Sequence, residues 1–439
     1  MTLRPLLLLA AAALASTAGA ATVEQRNYSK LLRQGPVKAA LKYLRDDDAR
    51  TLQEQIELTQ IPAPPFKEAV RAQEFAARLR TAGLQDVSMD AAGNVIGKRA
   101  GTKGGALLVV AAHLDTVFDE GSDVTVKESN GRYHGLGIQD DARGLVALLS
   151  VLRALEAAKI RTEGDVWFVG TVGEEALGNL RGVKALFAAH PGIDGFISVD
   201  GVDSPEDAAA GRSHVVTQAT GSRRWEFRFS GPGGHSFGNF GNPSAVHALG
   251  RAIAAISDLK PPADPKTTFN VGVATGGTGV TAIAAEASML VDLRSNDADE
   301  LRALEASVLA SVDAAASAEN AHWNSTALEV ERKLLGDRPA STRIDDPVMA
   351  DAVVAAHGAL GLKADTGFAS TDSNVPLSLG IPAATLNGGG RGDQAHSPDE
   401  WYEHVNAWRG PQVLLLTTLR LSGVSGVSKP ALVDRARAR

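Results

Sequence analysis

The sequence predicts an α/β protein with a mostly parallel sheet flanked by helices, and a second, inserted α+β unit of ferredoxin-like order. Continuous apolar runs such as Leu107-Leu108-Val109-Val110 and Val166-Trp167-Phe168-Val169 have the pattern of strands buried on both faces. These runs alternate with helical segments, the order of a parallel sheet covered on both sides. From about Gly221 the pattern changes to half-buried strands, as in Trp225-Glu226-Phe227-Arg228-Phe229, in the order β-α-β-β-α-β.

Size and composition bound the rest. The chain has 439 residues, 44% of them apolar, enough for two or three domains. A net charge of −7 and the lack of a long Lys/Arg run exclude a nucleic-acid surface and favour a small or peptide-like partner. Residues 1–20 read as a signal peptide: Arg4 precedes the run Leu6 to Leu14, and Ala18-Gly19-Ala20 has the small-x-small form of a cleavage site. That run is too short for a comfortable membrane span, so no stable anchor is expected after cleavage, a simple N-terminal anchor being the alternative. The expected location is periplasmic or secreted. With no cysteine present, stability rests on the core and any metal site must use His, Asp and Glu.

The elements follow in order. Helical spacing covers 36–60 and stops at Pro62-Ala63-Pro64-Pro65, which cannot continue a helix. A helix over 67–82 is closed by Gly83, and strands pass Val87 and 95–98 before the buried strand 106–112. The loop Gly135 to Asp141 leads into a helix over 144–157, then a strand 165–171, a helix 182–189 and a strand 195–199. The first part of the main α/β domain is thus 21–218. The insertion, 219–332, holds strands 225–229, 268–275, 284–294 and 324–330 with helices 243–259 and 297–318. The first domain resumes over 333–422 with a helix 346–360, a loop 370–374, a strand 383–386 and a helix 408–422. The tail 423–439 is basic and apolar-poor, and is expected to be disordered.

His113, Glu174, Glu175 and Asp200 all fall at carboxyl ends of these strands, where parallel sheets bind ligands. His113 and Asp115, two apart, face one side and suit a metal ligand and the group that orients it; a surface His beside a turn Asp would read the same. Five residues could bind metal: His113, Asp140, Glu175, Asp200 and His396. Two imidazoles and three carboxylates suit a borderline metal such as zinc, and are one ligand short of two separate sites unless one carboxylate is shared. Asp140 is the natural bridge, because glycines before it let the backbone approach closely. Glu174 and Glu175 point to different sides, so one can bind metal while the other takes a proton. A glycosidase pair is a poor reading, since nothing here spaces two carboxylates across a sugar.

The motifs His113-Leu114-Asp115-Thr116, Gly137-Ile138-Gln139-Asp140-Asp141, Gly173-Glu174-Glu175, Val199-Asp200-Gly201 and Ala395-His396-Ser397-Pro398 resemble, in order, those of the co-catalytic zinc exopeptidases and amidohydrolases. That family includes peptidase T, carboxypeptidase G, carnosine dipeptidases, succinyl-diaminopimelate desuccinylase and aminoacylase. The resemblance covers essentially the whole mature chain. It implies a zinc-exopeptidase-like catalytic domain with a lid or dimerisation insert, and two Zn2+ ions, with Co2+ or Mn2+ able to replace them in vitro. It further implies that Asp140 bridges the metals, that His113 and Asp200 complete one site, and that Glu175 and His396 complete the other. Asp115 would orient His113, Glu174 would be general base and then acid, and the Asp140–Asp141 peptide would be cis.

Gly231-Pro232-Gly233-Gly234-His235-Ser236 resembles the family's Gly-x-Gly-Gly-His-Ser, whose His reaches a partner's active site in dimeric relatives to stabilise the oxyanion. Arg294 matches a position where relatives hold a substrate carboxylate, for which the guanidinium fork is suited; an ion pair with Asp292 or Asp297 is the alternative. Gly388-Gly389-Gly390 lacks the Lys-Ser/Thr of a phosphate loop, and the resemblance places Gly389 at the substrate pocket. Asp140-Asp141-Ala142-Arg143-Gly144 departs from the peptidase T-like Asp-Asp-Lys-x-Gly, and relatives carry an Asn near Thr281 and a Pro near Ala284. These departures leave substrate choice open. The expected protein is an exported di-zinc metallo-exopeptidase acting near the ends of short peptides, with the insert as the interface of a homodimer. An N-acyl-amino-acid deacylase and a non-catalytic peptide-binding protein on the same fold are the alternatives.

Overall fold

The computed structural model describes residues 22–341 and 347–435. The signal segment 1–20, Asp346 at the expected start of one helix, and residues 436–439 lie outside the described residues.

Eight strands form the main sheet, in the spatial order Asp86–Met89, Val95–Arg99, Asp165–Thr171, Leu107–His113, Gly195–Val199, Ala383–Leu386, Arg212–Ala219 and Lys363–Ala369. The four central strands from Asp165–Thr171 to Ala383–Leu386 run parallel. Alternate residues of Leu107–His113 serve two cores, as period-2 side-chain placement requires. Leu108, Val110 and Ala112 pack on the side of helix Ala142–Ala157, and Val109 and Ala111 pack with Val169, Val183 and Phe196 on the other. Helix Ala142–Ala157 is buried almost all round because it lies between the sheet and the helices Gly35–Asp46, Asp48–Thr59 and Arg409–Ser422. The mostly parallel, helix-flanked sheet is therefore the architecture that the apolar runs imply.

A second sheet is wholly antiparallel, in the order Thr267–Gly276, Glu286–Ser295, Gly221–Ser230, Glu329–Arg338. Helices Ala245–Ser257 and Ala298–His322 pack on it around Phe227, Phe229, Met289 and Val308. This is the β-α-β-β-α-β order.

Several details differ from expectation. The helix over 36–60 is two helices that meet at Asp47, and Val23–Arg33 precedes them, started by a Thr22–Gln25 capping box and stopped before Gly35-Pro36. The edge strand Lys363–Ala369 is only partly buried, and neither it nor its neighbour Arg212–Ala219 carries a clean alternation. The last strand of the second sheet runs to Arg338 rather than ending at Val330, past the expected boundary at 332. The tail is not disordered over 423–435. Leu432 is buried against Gly195, where a Cβ would lie 2.7 Å from it, and the Arg435 N–H donates to Asp194 at 2.7 Å. A few apolar side chains with a socket suffice to hold a segment whose average composition is polar.

Candidate metal centre

Strand ends and tight turns bring the expected metal ligands to one place. His113 is the last residue of its strand, and Asp200 follows Gly195–Val199, its N–H held by the Leu386 carbonyl at 2.9 Å. Asp140 precedes helix Ala142–Ala157, which Asp141 caps by accepting from the Gly144 N–H at 2.9 Å. The other Asp141 oxygen accepts from the His113 N–H at 3.0 Å, which ties the turn to the strand end. Gly144 has to be glycine, because a Cβ would lie 2.2 Å from the Asp141 carboxylate and 2.4 Å from the Val199 carbonyl. The Asp140–Asp141 peptide is cis. Glu400 braces the same turn by accepting from Gly137 N–H and Gln139 N–H at 2.8 and 3.0 Å.

The Asp140 carboxylate lies between the two imidazoles: Oδ1 is 2.8 Å from His113 Nε2, and Oδ2 is 2.9 Å from His396 Nε2. Asp200 Oδ1 is 3.9 Å from His113 Nε2, and Glu175 Oε1 is 2.9 Å from His396 Nε2. Donor atoms of His113, Asp140 and Asp200 lie within 4.8 Å of one another, as do those of Asp140, Glu175 and His396. Asp140 is common to these two groups; a third, His113, Glu174 and Glu175, also has its donor atoms within 4.8 Å of one another. Nitrogen and carboxylate donors in this combination fit zinc and its neighbours.

Electrostatics point the same way. Burial and the Asp140 charge push the Asp200 carboxyl up to about 7, and bonds to Asp140 and Glu175 raise His396 to about 11. Burial opposes charge on His113, but the bond to Asp140 and the charges of Asp141, Asp140 and Asp200 outweigh it and raise its pKa. So many carboxylates gathered out of water around two imidazoles make a site built for cations.

Asp115 meets His113 through its main chain rather than its carboxylate. The His113 ring is oriented by the main-chain carbonyl of Asp115, 3.0 Å from Nδ1, which leaves Nε2 as the ligating atom. The Asp115 carboxylate, fully buried and pushed up to about 6 by that burial, lies 3.8 Å from Nδ1. It accepts instead from the N–H groups of Glu174 and Glu175 at 3.0 and 2.9 Å, so it fixes the backbone from which both glutamates project. Asp115→Asn turns one acceptor oxygen into a donor facing an N–H. Metal affinity measured by chelator competition is expected to fall about 10–100-fold, and an unchanged affinity would contradict this placement.

Glu174 reveals a residue absent from the sequence reading. Its Oε1 accepts from Arg338 Nη1 at 2.9 Å, and Arg338 Nη2 donates to its main-chain oxygen. Both side chains are buried. Burial raises the Glu174 pKa well above its ordinary value against the pull of Arg338. Asp372 is also buried close by, accepting from Thr171 Oγ1 at 2.5 Å with its other oxygen unpartnered.

Three expected residues are not part of this cluster. Arg294 donates to Asp292 at 2.8 Å, its alternative reading, on the second sheet. Gly389 is wedged against Ala407 and Gly410 and lines a separate cavity. His235 is exposed in the short strand Gly234–His235, and its Nδ1 accepts from Phe237 N–H and Gly238 N–H at 3.2 Å each.

Comparison with known proteins agrees with this geometry. The chain is 26% identical over 368 residues to the uncharacterized protein YqjE of Bacillus subtilis (strain 168), covering 81% of this chain and 93% of that one. Its fold is similar to that of aminopeptidase PepT from Bacillus cereus ATCC 10987, with a TM-score of 0.68 at 20% identity over 84% of this chain and 97% of that one. It is also similar to Bacillus subtilis YxeP, described as a dinuclear metal-binding peptidase, with a TM-score of 0.65 at 15% identity over 86% and 99% of the two chains. The family model for peptidase family M20/M25/M40 matches residues 109–419. That match spans every residue of the cluster from His113 to His396, and the chain belongs to peptidase family M20/M25/M40.

Proposed function

We propose that this protein is a dinuclear metallo-exopeptidase that hydrolyses the peptide bond near one end of short peptides. The observation that carries the reading is the Asp140 carboxylate set between His113 and His396, which makes two donor groups share one ligand. The dinuclear description of YxeP and the aminopeptidase description of PepT support it. Two divalent cations bound there, zinc by the donor set, would polarise the scissile carbonyl and lower the pKa of a water towards ~7.

The chain's own groups supply the rest. Glu174, whose burial raises its proton affinity, takes the proton from the attacking water and delivers it to the leaving nitrogen. Arg338 holds Glu174 in one rotamer by its bond to Oε1. On the second sheet, Arg224 reaches the Ala176 carbonyl at 2.9 Å, and with Arg294 it shares Asp292 as ion-pair partner. Arg224, which lies beside the glutamate loop, suits a peptide's terminal carboxylate. His235 carries its two hydrogen bonds on Nδ1, so Nε2–H is free to donate to an oxyanion in a second copy across a homodimer. Export to the periplasm, from the leader at 1–20, places the enzyme where short peptides enter the cell.

The test is hydrolysis of Ala-Ala-Ala, Ala-Ala, a folyl-type glutamate amide and N-acetyl amino acids, by metal-free protein and with zinc or cobalt added. Cation-dependent cleavage of the peptides is expected, and with a tripeptide of three different residues, such as Ala-Gly-Phe, the first amino acid released distinguishes trimming from the amino or the carboxyl end. Cleavage of the N-acetyl amino acids alone would establish the deacylase instead. Two bound metals with no cleavage would point to the binding protein.

A further inference from the structure

Away from the metal-ligating cluster, the described residues enclose a cavity of about 230 Å³ between strand Arg212–Ala219, the loop 387–391 and the start of helix Arg409–Ser422. Neither Glu174 nor any of the five metal-type residues lines it. Leu386 and Val413 supply apolar wall, and the polar groups divide by sign.

At the rim, Arg409 is exposed and its guanidinium has no partner among the described residues, whereas Arg212 and Arg391, which also line the cavity, are paired with Asp207 and Glu403. The 14-residue helix Arg409–Ser422 starts here; the Arg409 and Gln412 N–H groups are bonded to Asn406 and Trp408 and Pro411 has none, so the start offers an anion the positive end of the helix and the Gly410 N–H. Deeper in, His357 is only 3% exposed, and its one hydrogen bond is from Nδ1–H to the Val353 carbonyl at 2.9 Å. That bond makes Nε2 the acceptor nitrogen of a side chain that lines the cavity, with no hydrogen-bond donor to it among the described residues. Burial lowers the His357 pKa and keeps the ring neutral. Asp203 adds a second acceptor, its carboxylate held by Ser213 Oγ at 2.8 Å and by Asn387.

A cationic rim above buried acceptors calls for a ligand with an anionic end and a hydrogen-bond-donating end. A phosphate would satisfy Arg409 but set its oxygens against His357 Nε2 and Asp203. A simple amine would leave Arg409 unused. The volume, below the ~300 Å³ at which drug-sized pockets begin, limits the ligand to a few heavy atoms. We propose that this cavity binds one free α-amino acid, its carboxylate at Arg409 and the helix start and its ammonium group on His357 Nε2 and Asp203. The naming of an amino acid as the physiological occupant rests on the proposed peptidase activity, which releases that class of product. The cavity is placed to report on it: Leu386, in its wall, accepts from the Asp200 N–H, and Gly388 N–H donates to the Gly201 carbonyl at 2.9 Å.

Calorimetric titration of the full chain, with metals removed by chelation, tests this without turnover or metal-bound amino acid. L-Alanine is expected to bind saturably at one site per chain, with acetate, methylamine and inorganic phosphate each at least about 10-fold weaker. Arg409→Ala, at an exposed and unpaired side chain, should weaken alanine binding about 10-fold or more, and His357→Phe should do the same. Absence of saturable alanine binding, equal binding by Arg409→Ala, or tighter binding of phosphate would each overturn the proposal. A protein that binds alanine in this way but cleaves no peptide would refute the proposed activity and leave the cavity assignment standing. One that cleaves peptides but binds no alanine when chelated would refute the cavity alone.

Discussion

Asp140→Ala is expected to strip both metals at once. The carboxylate lies 2.8 Å from His113 and 2.9 Å from His396 and is the one residue common to both donor groups. Without it, one group keeps only His113 and Asp200, and the other only Glu175 and His396. Loss of a partner that merely orients a ligand weakens metal binding by about 10–100-fold, so loss of a shared ligand should exceed that at both sites. Metal content after gel filtration against a competing chelator should fall from two per chain towards none, and peptide hydrolysis with it. His396→Ala should leave one tight metal, since it removes a donor from one group only. If Asp140→Ala keeps both metals, the sharing of Asp140 is wrong. If it loses only one, Asp140 is a necessary ligand of one group and not of the other.

Glu174→Gln should lower kcat by about 10²–10⁴-fold with metal content unchanged, which is roughly 3–5 kcal/mol on the barrier. Glutamine keeps the shape and an oxygen to accept from Arg338, but its amide cannot take a proton. Alanine is a less clean substitution. It would leave Arg338, 5% exposed and held by Glu174, as an unpaired buried cation, a change that costs about 3–5 kcal/mol of stability in comparable cases. Lost activity in Glu174→Ala could then report unfolding, and comparing the two variants by thermal melting separates the effects. Near-normal kcat in Glu174→Gln would make the Glu174–Arg338 pair a structural contact and move the base elsewhere.

Three of the metal-type residues follow a local pattern that places them. His113 and Asp200 come directly after apolar runs that can only be central strands, and Asp140 comes after glycines that mark a tight turn. His396 carried no such local signal and was read from motif order. Arg338 was missed because its strand was ended at Val330; the residues between, Glu331 to Gly336, are mostly exposed and alternate poorly. Glu400, which braces the Asp140 turn from 260 residues away in the chain, left no pattern near the turn itself. The tail misled by its average composition, since packing depends on whether Leu432 has a socket and not on how polar its neighbours are.

By itself the sequence determined the class of fold and the identity of the metal-type residues. Strand and helix periodicity is local, and the ends of buried strands are where a parallel sheet exposes side chains together. Only the tertiary structure decided what those residues touch. It turned the Asp115 carboxylate to the backbone of Glu174 and Glu175 and paired Glu174 with Arg338. It also set Arg294 on Asp292 and moved Gly389 to a second cavity. The physical reason is range. A hydrogen bond or ion pair is made over about 3 Å between groups that the chain can separate by any number of residues, so a pattern in one stretch fixes where a side chain starts and not which distant group it meets.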